Sequence, residues 1–217
     1  LEAAKAVGAE FIASRPNDNI GLVVFAGESF TQSPLTSDKT ALIGLMNSIS
    51  DDMISEDGTA IGMGLANAVN RIKESQAKSK VIILLTDGSN NRGEIDPLTA
   101  AELAKAYNIR VYTIGVGTKG QAPYPVRTVF GIKRQMVPVD IDETTLKSIA
   151  EKTNGQYFRA TDNKSLKAIY AEIDQLEKTK IQVTEYSKKT EEYLPYAIAA
   201  LILLLFEIIL RTTVLRH

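Results

Sequence analysis

Two short polar loops contain the residues whose types and spacing are best suited to binding chemistry. Thr59 lies in the loop of residues 57–62, and Asp87 lies in the loop of residues 86–90. Residues 81–85, before Asp87, are all apolar, as in a central strand covered on both faces of a parallel sheet. The carboxyl edge of such a sheet is where α/β proteins bind ligands. Because Mg²⁺, Mn²⁺ and Ca²⁺ prefer oxygen ligands, Thr59 and Asp87 are predicted to bind a divalent cation that grips a partner.

Both residues also have an ordinary structural interpretation. Threonine is a good helix N-cap, and an aspartate at a strand end often starts an Asx turn. Residue types alone do not decide between these roles and metal binding. Ser89, Asn90 and Asn91 follow Asp87 and are equally consistent with a polar turn or with hydrogen bonds that orient metal ligands.

Two further sequence patterns give weaker evidence for a binding site. Residues 115–120 match G-x-G-x-x-G after a strand, but Pro123 and Pro125 prevent the helix that a dinucleotide site requires. One stretch of the sequence is acidic and could hold a second cation, but a solvated loop is the better interpretation. The acidic residues are Asp51, Asp52, Glu56 and Asp57.

Composition limits the classes of function. The chain has 217 residues, 44% hydrophobic and 24% charged, which predicts one main domain with an appendage rather than a disordered chain. A formal charge of −1 gives no concentrated basic surface for nucleic acid. There is no cysteine, and the single histidine is His217, so thiolate chemistry, disulfides and histidine clusters are excluded within this sequence.

Alternating helices and strands predict an α/β fold with a doubly wound, mostly parallel sheet flanked by helices. Because the sequence opens within a helical pattern at Leu1, we expect a preceding first strand outside this chain. The predicted helices cover residues 1–12, 38–47 (capped by Thr36 or Ser37), 60–74, 97–107 (capped by Asp96), 143–152 and 163–177. The predicted strands cover residues 20–25, 29–33 (ending at a turn with Pro34), 81–85, 110–116, 156–159 and 181–186.

The region of residues 117–138 departs from this alternation. It contains three prolines and two alternating apolar and polar runs, residues 126–130 and 133–137, on either side of Gly131. This pattern predicts an antiparallel β-hairpin inserted after a core strand.

The carboxyl-terminal segment has the composition of a membrane anchor. Residues 194–210 are apolar apart from Glu207, a length at the lower end of the ~17–25 residues that span a bilayer. Tyr193 and Tyr196 lie at the amino-terminal side of this segment, and the charged residues that follow it, Arg211 and Arg216, are both positive. We therefore expect a linker over residues 187–193, a transmembrane helix over 194–210 and a cytoplasmic tail over 211–217, with the globular domain on the outer side. A buried core helix is the alternative interpretation.

The order of the elements and loops resembles the von Willebrand factor A (VWA) domain. The similarity is carried by residues 58–65 before a helix and residues 82–88 after it. In that family three loops build a metal-ion-dependent adhesion site (MIDAS). The second loop supplies a threonine, which matches Thr59, and the third an aspartate, which matches Asp87. The first loop carries Asp-x-Ser-x-Ser, which this sequence lacks, so the resemblance implies that residues 1–217 bind the cation weakly or not at all by themselves.

Within the family, the chain is most similar to the membrane-anchored Bat (aerotolerance) branch, BatA or BatB. That similarity covers essentially the whole chain and includes residues 21–27, 115–117 with the proline-rich insert, 155–162, 169–174 and 211–216. The resemblance implies a VWA domain over residues 1–186 that lacks its first strand, in the cytoplasmic membrane with the domain on the outer, periplasmic side. It also implies metal-dependent protein binding rather than catalysis, with sibling Bat proteins and a MoxR-type AAA+ ATPase as partners.

Two functions of other classes remain open at the level of sequence. One is an α/β hydrolase or phosphotransferase that uses Asp87, although no histidine and no carboxylate nearer than Glu94 and Asp96 is available as a general base. The other is a metal-independent scaffold whose contacts are made by the hairpin, residues 121–134.

Overall fold

The computed structural model describes residues 1–50, 53–117, 120–128, 131–139, 141–187, 196–201, 203–204 and 207–208, and for residues 120–139 and 179–187 it describes the backbone alone. The chain divides into two compact units, Leu1–Gln175 and Leu176–His217. The parallel sheet and the candidate site belong to the first unit.

Helices and strands follow one another much as the sequence predicts. The helices are α1 (Glu2–Ala13), α2 (Lys39–Asn47), α3 (Ile61–Ile72), α4 (Pro97–Ala106), α5 (Glu143–Lys152) and α6 (Asn163–Ser187). The strands are β1 (Ile20–Phe25), β2 (Ser29–Thr36), β3 (Lys80–Thr86), β4 (Ile109–Val116), β5 (Gly120–Thr128), β6 (Gly131–Val139) and β7 (Tyr157–Ala160).

The strands form three separate hydrogen-bonded sheets. Strands β3, β4 and β7 make a parallel sheet in that order, which confirms a parallel α/β fold. The predicted hairpin is also confirmed, since β5 and β6 pair antiparallel from Gly120 opposite Val139 to Thr128 opposite Gly131. Strand β1 pairs antiparallel with β2 and, within the described ranges, shares no hydrogen-bonded ladder with β3.

The strand before Asp87 is not the central strand that its apolar run predicts. In β3 the buried residues alternate, with Ile82, Leu84 and Thr86 buried and the residues between them only half-buried. Strand β4 is central instead, because β3 pairs on one side of it and β7 on the other. Hydrophobicity alone does not distinguish the two strands, since both are rich in β-branched and aliphatic residues.

Strand β2 continues through the position where a turn is predicted. Pro34 lies within β2 rather than ending it, so the prediction of a turn there is wrong. Proline is tolerated in a strand whose outer edge makes no ladder. The register between β1 and β2 also shifts between Ile20 and Leu22 and again between Leu22 and Val23, which gives β2 two extra residues opposite β1.

One continuous apolar core lies between the parallel sheet and helices α3, α4 and α5. Residues of β3 and β4 that point to this face, including Ile82, Leu84 and Val111, pack with α3 residues such as Leu65. The alternate β4 residues Tyr112 and Ile114 are fully buried on the other face. Burial of each such aliphatic side chain contributes about 1.5–3 kcal/mol. The sheet is therefore a rigid base for the loops at its edge.

Polar side chains cap helices α2, α4 and α5. Asp96 accepts hydrogen bonds from the backbone N–H groups of Leu98 and Thr99 at 2.9 and 3.0 Å, which confirms it as the N-cap of α4. Helix α2 is capped by Asp38, not by Thr36 or Ser37 as predicted. Asp142 accepts from the Thr145 N–H and caps α5.

Helix α1 is attached to α6 by an aromatic and charged cluster. The rings of Phe11 and Tyr170 stack with their centroids 4.6 Å apart. The guanidinium of Arg15 lies over the Phe11 ring and forms ion pairs with Asp18 and Asp174. Burial raises the pKa of Tyr170 to about 12, because the phenolate would have to form away from water.

The last predicted strand is helical. The alternation of β-branched and polar side chains predicts a strand over residues 181–186, yet α6 runs without interruption to Ser187. No glycine or proline lies between Asn163 and Ser187, and elongation of an existing helix costs far less than starting a new element. Propagation of the helix therefore overrides the local strand preference.

The predicted transmembrane helix over residues 194–210 receives no support from the structure. Residues 196–201 are helical, but several residues of the predicted segment lie outside the described ranges, as do residues 188–193 of the predicted linker and the predicted tail, 211–217. Among the residues that the structure does describe, no helix combines the length and the apolar composition needed to cross a membrane.

Candidate metal-binding site

Thr59 lies in the loop that leads into α3, and it does not cap the helix. The N-cap of α3 is Ala60, which makes no side-chain capping hydrogen bond. The backbone of Ala60 is tied instead to the end of β1, because its N–H donates to the Ala26 carbonyl at 2.6 Å. Within the described part of the chain, the Thr59 hydroxyl forms no hydrogen bond. The capping interpretation of Thr59 is therefore wrong, and the hydroxyl is available to a ligand.

Asp87 follows β3 directly, and it does not form an Asx turn. The turn is made by Thr86, whose hydroxyl accepts from the Gly88 N–H at 3.3 Å and approaches the Gly88 carbonyl at 3.4 Å. The Asp87 carboxylate is exposed and forms no hydrogen bond or ion pair with any residue that the structure describes. Asp87 thus places a free negative charge at the carboxyl edge of the sheet.

The two loops meet at the same edge. A Cβ atom built on Gly88 would lie 2.9 Å from Thr59 Oγ1, so the Thr59 side chain packs directly against the residue after Asp87. Glycine at this position leaves room for the hydroxyl beside the turn. The structure therefore brings together the two loops that the sequence selects.

Two asparagines hold this arrangement in place. Asn91 accepts a hydrogen bond from the Thr59 N–H at 2.8 Å through Oδ1, and its own N–H donates to the Thr59 carbonyl at 3.0 Å. Asn90 Oδ1 accepts from the Gly62 N–H in the first turn of α3 at 3.4 Å. Asn90 and Asn91 therefore hold the backbone of the Thr59 loop, and their role in orienting metal ligands stays a prediction. Ser89 makes no such bond in the described ranges.

Close backbone approach requires a glycine at the start of α3. A Cβ on Gly62 would collide with the carbonyl oxygen of Ile95, so only glycine lets α3 approach the loop before α4. Gly58 has a φ of 118°, a conformation that other residues rarely adopt, and it packs against the side chain of Arg92.

Charged groups of both signs surround the two loops. Arg92 is exposed, its N–H lies 3.3 Å from the Thr59 carbonyl, and its side chain forms no ion pair within the described residues. Glu56 and Asp57, which precede Gly58, are exposed carboxylates without an ion-pair partner in the same ranges. The sequence does not identify Arg92 in advance, because its approach to Thr59 follows from the fold of the loop.

The donor set suits a hard cation that keeps several waters. Thr59 and Asp87 offer a neutral and an anionic oxygen, and Mg²⁺ is commonly held by one or two carboxylates plus water. The amino terminus of α3 begins two residues after Thr59. The part of the chain that the structure describes, which excludes residues 51 and 52 of the acidic stretch, has no group of three or more histidine, cysteine or acidic residues placed to hold a metal. These two side chains thus suit part of a coordination sphere.

A parallel α/β sheet with an oxygen-rich loop pair at its carboxyl edge defines a class of ligand-binding domains rather than one protein. The family follows from comparison with known sequences. The von Willebrand factor type A domain matches residues 1–172, and the chain belongs to that family.

Two solved structures of bacterial proteins are similar over most of the chain. BatB from Bacteroides thetaiotaomicron is 34% identical, with 82% of this chain and 88% of that chain covered and a TM-score of 0.66. An aerotolerance-related membrane protein from Bacteroides fragilis is 30% identical, with 80% and 86% covered and a TM-score of 0.67. The resemblance to the Bat branch is therefore confirmed.

A more distant structure shares the fold alone. Proximal thread matrix protein 1 from the mussel byssus, with a zinc-occupied MIDAS motif, is 24% identical, with 81% of this chain and 40% of that chain covered and a TM-score of 0.61. The chain spans 52–60% of the length of the first three curated relatives that it matches.

Proposed function

We propose that this chain is the binding domain of a membrane-anchored Bat-type protein, which binds a protein partner through a divalent cation. Thr59 and Asp87 contribute two of the cation's ligands, and an Asp or Glu of the partner contributes another. The observation that carries the proposal is the pairing of two free oxygen donors at one edge of the sheet. Neither side chain is used by a cap, a turn or an ion pair in the described residues.

The loop architecture supports a binding role. Asn90 and Asn91 fix the backbone around Thr59 before any ligand arrives, so little ordering entropy is lost on binding. A bound cation supplies positive charge between two anionic groups, Asp87 and the partner's carboxylate. Arg92 adds a second positive charge beside the Thr59 loop, and a guanidinium is well suited to a carboxylate.

The remaining features of the proposal come from the Bat resemblance and from the composition of the tail. We propose that residues 194–210 anchor the protein in the cytoplasmic membrane, with the VWA domain on the outer side. Sibling Bat proteins and a MoxR-type AAA+ ATPase are the proposed partners, and Mg²⁺, Mn²⁺ or Ca²⁺ is the proposed cation. Support for an aerotolerance role is the similarity to an aerotolerance-related membrane protein of Bacteroides fragilis.

Paramagnetic Mn²⁺ tests the cation site directly. In ¹⁵N-labelled protein titrated with Mn²⁺, the amide signals of Thr59, Asp87 and Gly88 are expected to broaden first, because relaxation by Mn²⁺ falls steeply with distance. Mg²⁺ in excess should reverse the broadening. First broadening at Glu172 or another carboxylate far from the loops, with these three amides unaffected, would refute the proposed ligands.

Matched variants separate ligation from folding. Thr59→Ala and Asp87→Asn each remove one donor and are expected to abolish the selective broadening, whereas Thr59→Ser keeps the hydroxyl and should retain it. Thr99→Ala changes the same residue type on α4 and serves as the control. Hydrolysis of a generic phosphate or ester substrate that disappears in Asp87→Asn would instead favour an enzyme.

The membrane anchor has its own test. The full chain is expected to float with lipid vesicles in a density gradient and to resist extraction by high salt. A chain ending at Gln175 lacks the second compact unit and should stay at the bottom. Failure of the full chain to float would refute the anchor without affecting the cation site.

A further inference from the structure

A pocket beside the Thr59 loop has a lining that the cation site does not use. It has a volume of about 290 Å³ and lies between the start of β2 and the loop before Thr59. Its lining includes the acidic residues Glu28 and Glu56 and the apolar residues Phe30, Met53 and Ile54. We call it the Glu28–Glu56 pocket.

We propose that the Glu28–Glu56 pocket binds a lysine or arginine side chain of the protein partner, close to the carboxylate that the partner offers to the cation. This inference rests on the proposed function and adds the chemistry of a second residue in the partner. The partner would then carry an acidic and a basic residue a few positions apart.

The lining matches a long basic side chain better than it matches a metal ion. Lysine and arginine bury an aliphatic stem against apolar surface while the charged head reaches a polar rim. Phe30, Met53 and Ile54 suit the stem, and the two carboxylates suit the head. No third acidic group joins them to form a metal cluster within the described ranges.

Both carboxylates are available for an external cation. Glu28 and Glu56 are exposed, and neither forms an ion pair with a residue that the structure describes. Arg92, the base beside the Thr59 loop, packs on Gly58 and also has no acidic partner in those ranges. The surface around the pocket therefore offers unpaired charges of both signs to one partner.

The pocket is held at a defined position relative to the cation site. The Gly27 N–H donates to the Glu56 carbonyl at 3.0 Å, and the Ala60 N–H donates to the Ala26 carbonyl at 2.6 Å. These bonds join the turn after β1 to both ends of the loop that contains Thr59. Because Glu56 precedes Thr59 by three residues, their Cα atoms lie at most about 11 Å apart.

That upper limit bounds the spacing in the partner. An extended chain advances about 3.3 Å per residue, so residues two or three positions apart are about 7–10 Å apart. We therefore expect the basic residue of the partner two or three positions from the acidic residue that reaches the cation.

Selection from a random seven-residue peptide library displayed on phage tests this inference. With the full chain immobilised in the presence of Mn²⁺, the selected peptides are expected to contain Asp or Glu with Lys or Arg two or three positions away. Selection on Glu28→Gln/Glu56→Gln should still enrich the acidic residue but lose the basic one. Selection on Thr59→Ala/Asp87→Asn should lose the acidic one.

A matched control removes the same charge elsewhere. Glu74→Gln/Glu151→Gln alters two exposed glutamates away from the pocket and should select the same peptides as the unchanged protein. Replacing the basic residue of one selected peptide by glutamine should weaken its binding about twofold to fivefold, as for an exposed ion pair. The same replacement should have no effect on binding to Glu28→Gln/Glu56→Gln.

The outcomes distinguish the two proposals. Acidic enrichment without basic enrichment, or basic enrichment that persists in Glu28→Gln/Glu56→Gln, overturns the assignment of the pocket and leaves the cation site intact. Absence of any acidic enrichment at a Mn²⁺ concentration that saturates even the weak site expected of residues 1–217 overturns the proposed function itself. Circular dichroism of each variant shows that a lost selection does not reflect unfolding.

Discussion

The hydroxyl of Thr59 packs against Gly88, the residue that follows Asp87, with only 2.9 Å between Thr59 Oγ1 and the place where a Cβ of residue 88 would lie. This contact joins the loop before α3 to the loop after β3. It also makes residue 88 a sensitive position, because any side chain there must displace the proposed ligand.

Gly88→Ala is expected to weaken cation binding while the protein stays folded. The added methyl group would rotate or push the Thr59 hydroxyl away from Asp87, and a threonine in a surface loop can yield at small cost. Isothermal titration with Mn²⁺ and a urea unfolding curve measure the two effects separately.

Gly44→Ala is the matched control for that change. A Cβ at Gly44 meets no atom within 4 Å, and the residue lies within α2. Alanine there should raise the free energy of unfolding by about 0.5–1 kcal/mol and leave the cation affinity unchanged. Equal cation affinity in Gly88→Ala and Gly44→Ala would contradict the role given to the Thr59–Gly88 contact.

Asn91→Ala is expected to reduce both stability and cation affinity. The substitution removes the Oδ1 acceptor of the Thr59 N–H, a bond of 2.8 Å. Loss of such a bond lowers the free energy of unfolding by about 1 kcal/mol. The loop around Thr59 would also be less ordered in the free protein, so cation binding would have to order it and would be weaker. Asn91→Asp keeps an acceptor and should restore the stability. Unchanged cation affinity in Asn91→Ala would show that Thr59 needs no such support.

Tyr170 predicts a loss of stability at high pH. Its pKa is raised from 10.0 to about 12 in the folded protein, so the stabilisation from the neutral phenol is complete below pH 10 and disappears as the pH rises through 12. The free energy of unfolding should therefore fall across this window by an amount on the order of 2–3 kcal/mol, since each pKa unit between 10.0 and about 12 corresponds to about 1.4 kcal/mol. In Tyr170→Phe this contribution to the fall should vanish, and an identical pH profile would count against burial of the phenol.

Hydrogen exchange should distinguish the strand that is paired on both sides from the strand that is paired on one side only. Amides of β4 have partners on both sides and are expected to be the most protected. Alternate amides of β1, those that point away from β2, should exchange much faster because they have no ladder partner in the described ranges. Uniform protection along β1 in an NMR exchange experiment would mean that another strand pairs with it.

Local signals predicted most of the elements well. Helix α5 begins and ends at the predicted residues, Glu143 and Lys152, and β1 has the predicted bounds. Asp96 followed by proline predicts the start of α4, because capping and the fixed φ of proline act within a few residues. Predictions failed where neighbouring structure overrode the local pattern, as for Pro34 within β2 and for residues 181–186, into which the preceding helix continues.

The amino-acid sequence by itself determined the alternation of helices and strands, the family and the two loops that contain Thr59 and Asp87. It left open whether these residues cap and turn the backbone or stay free, because both roles use the same residue types. The tertiary structure decided that question. Thr86 makes the turn, Ala60 occupies the cap position, and Asn91 holds the loop through a bond between residues 32 positions apart. Hydrogen bonds across such distances depend on how the strands are placed, which no local pattern encodes.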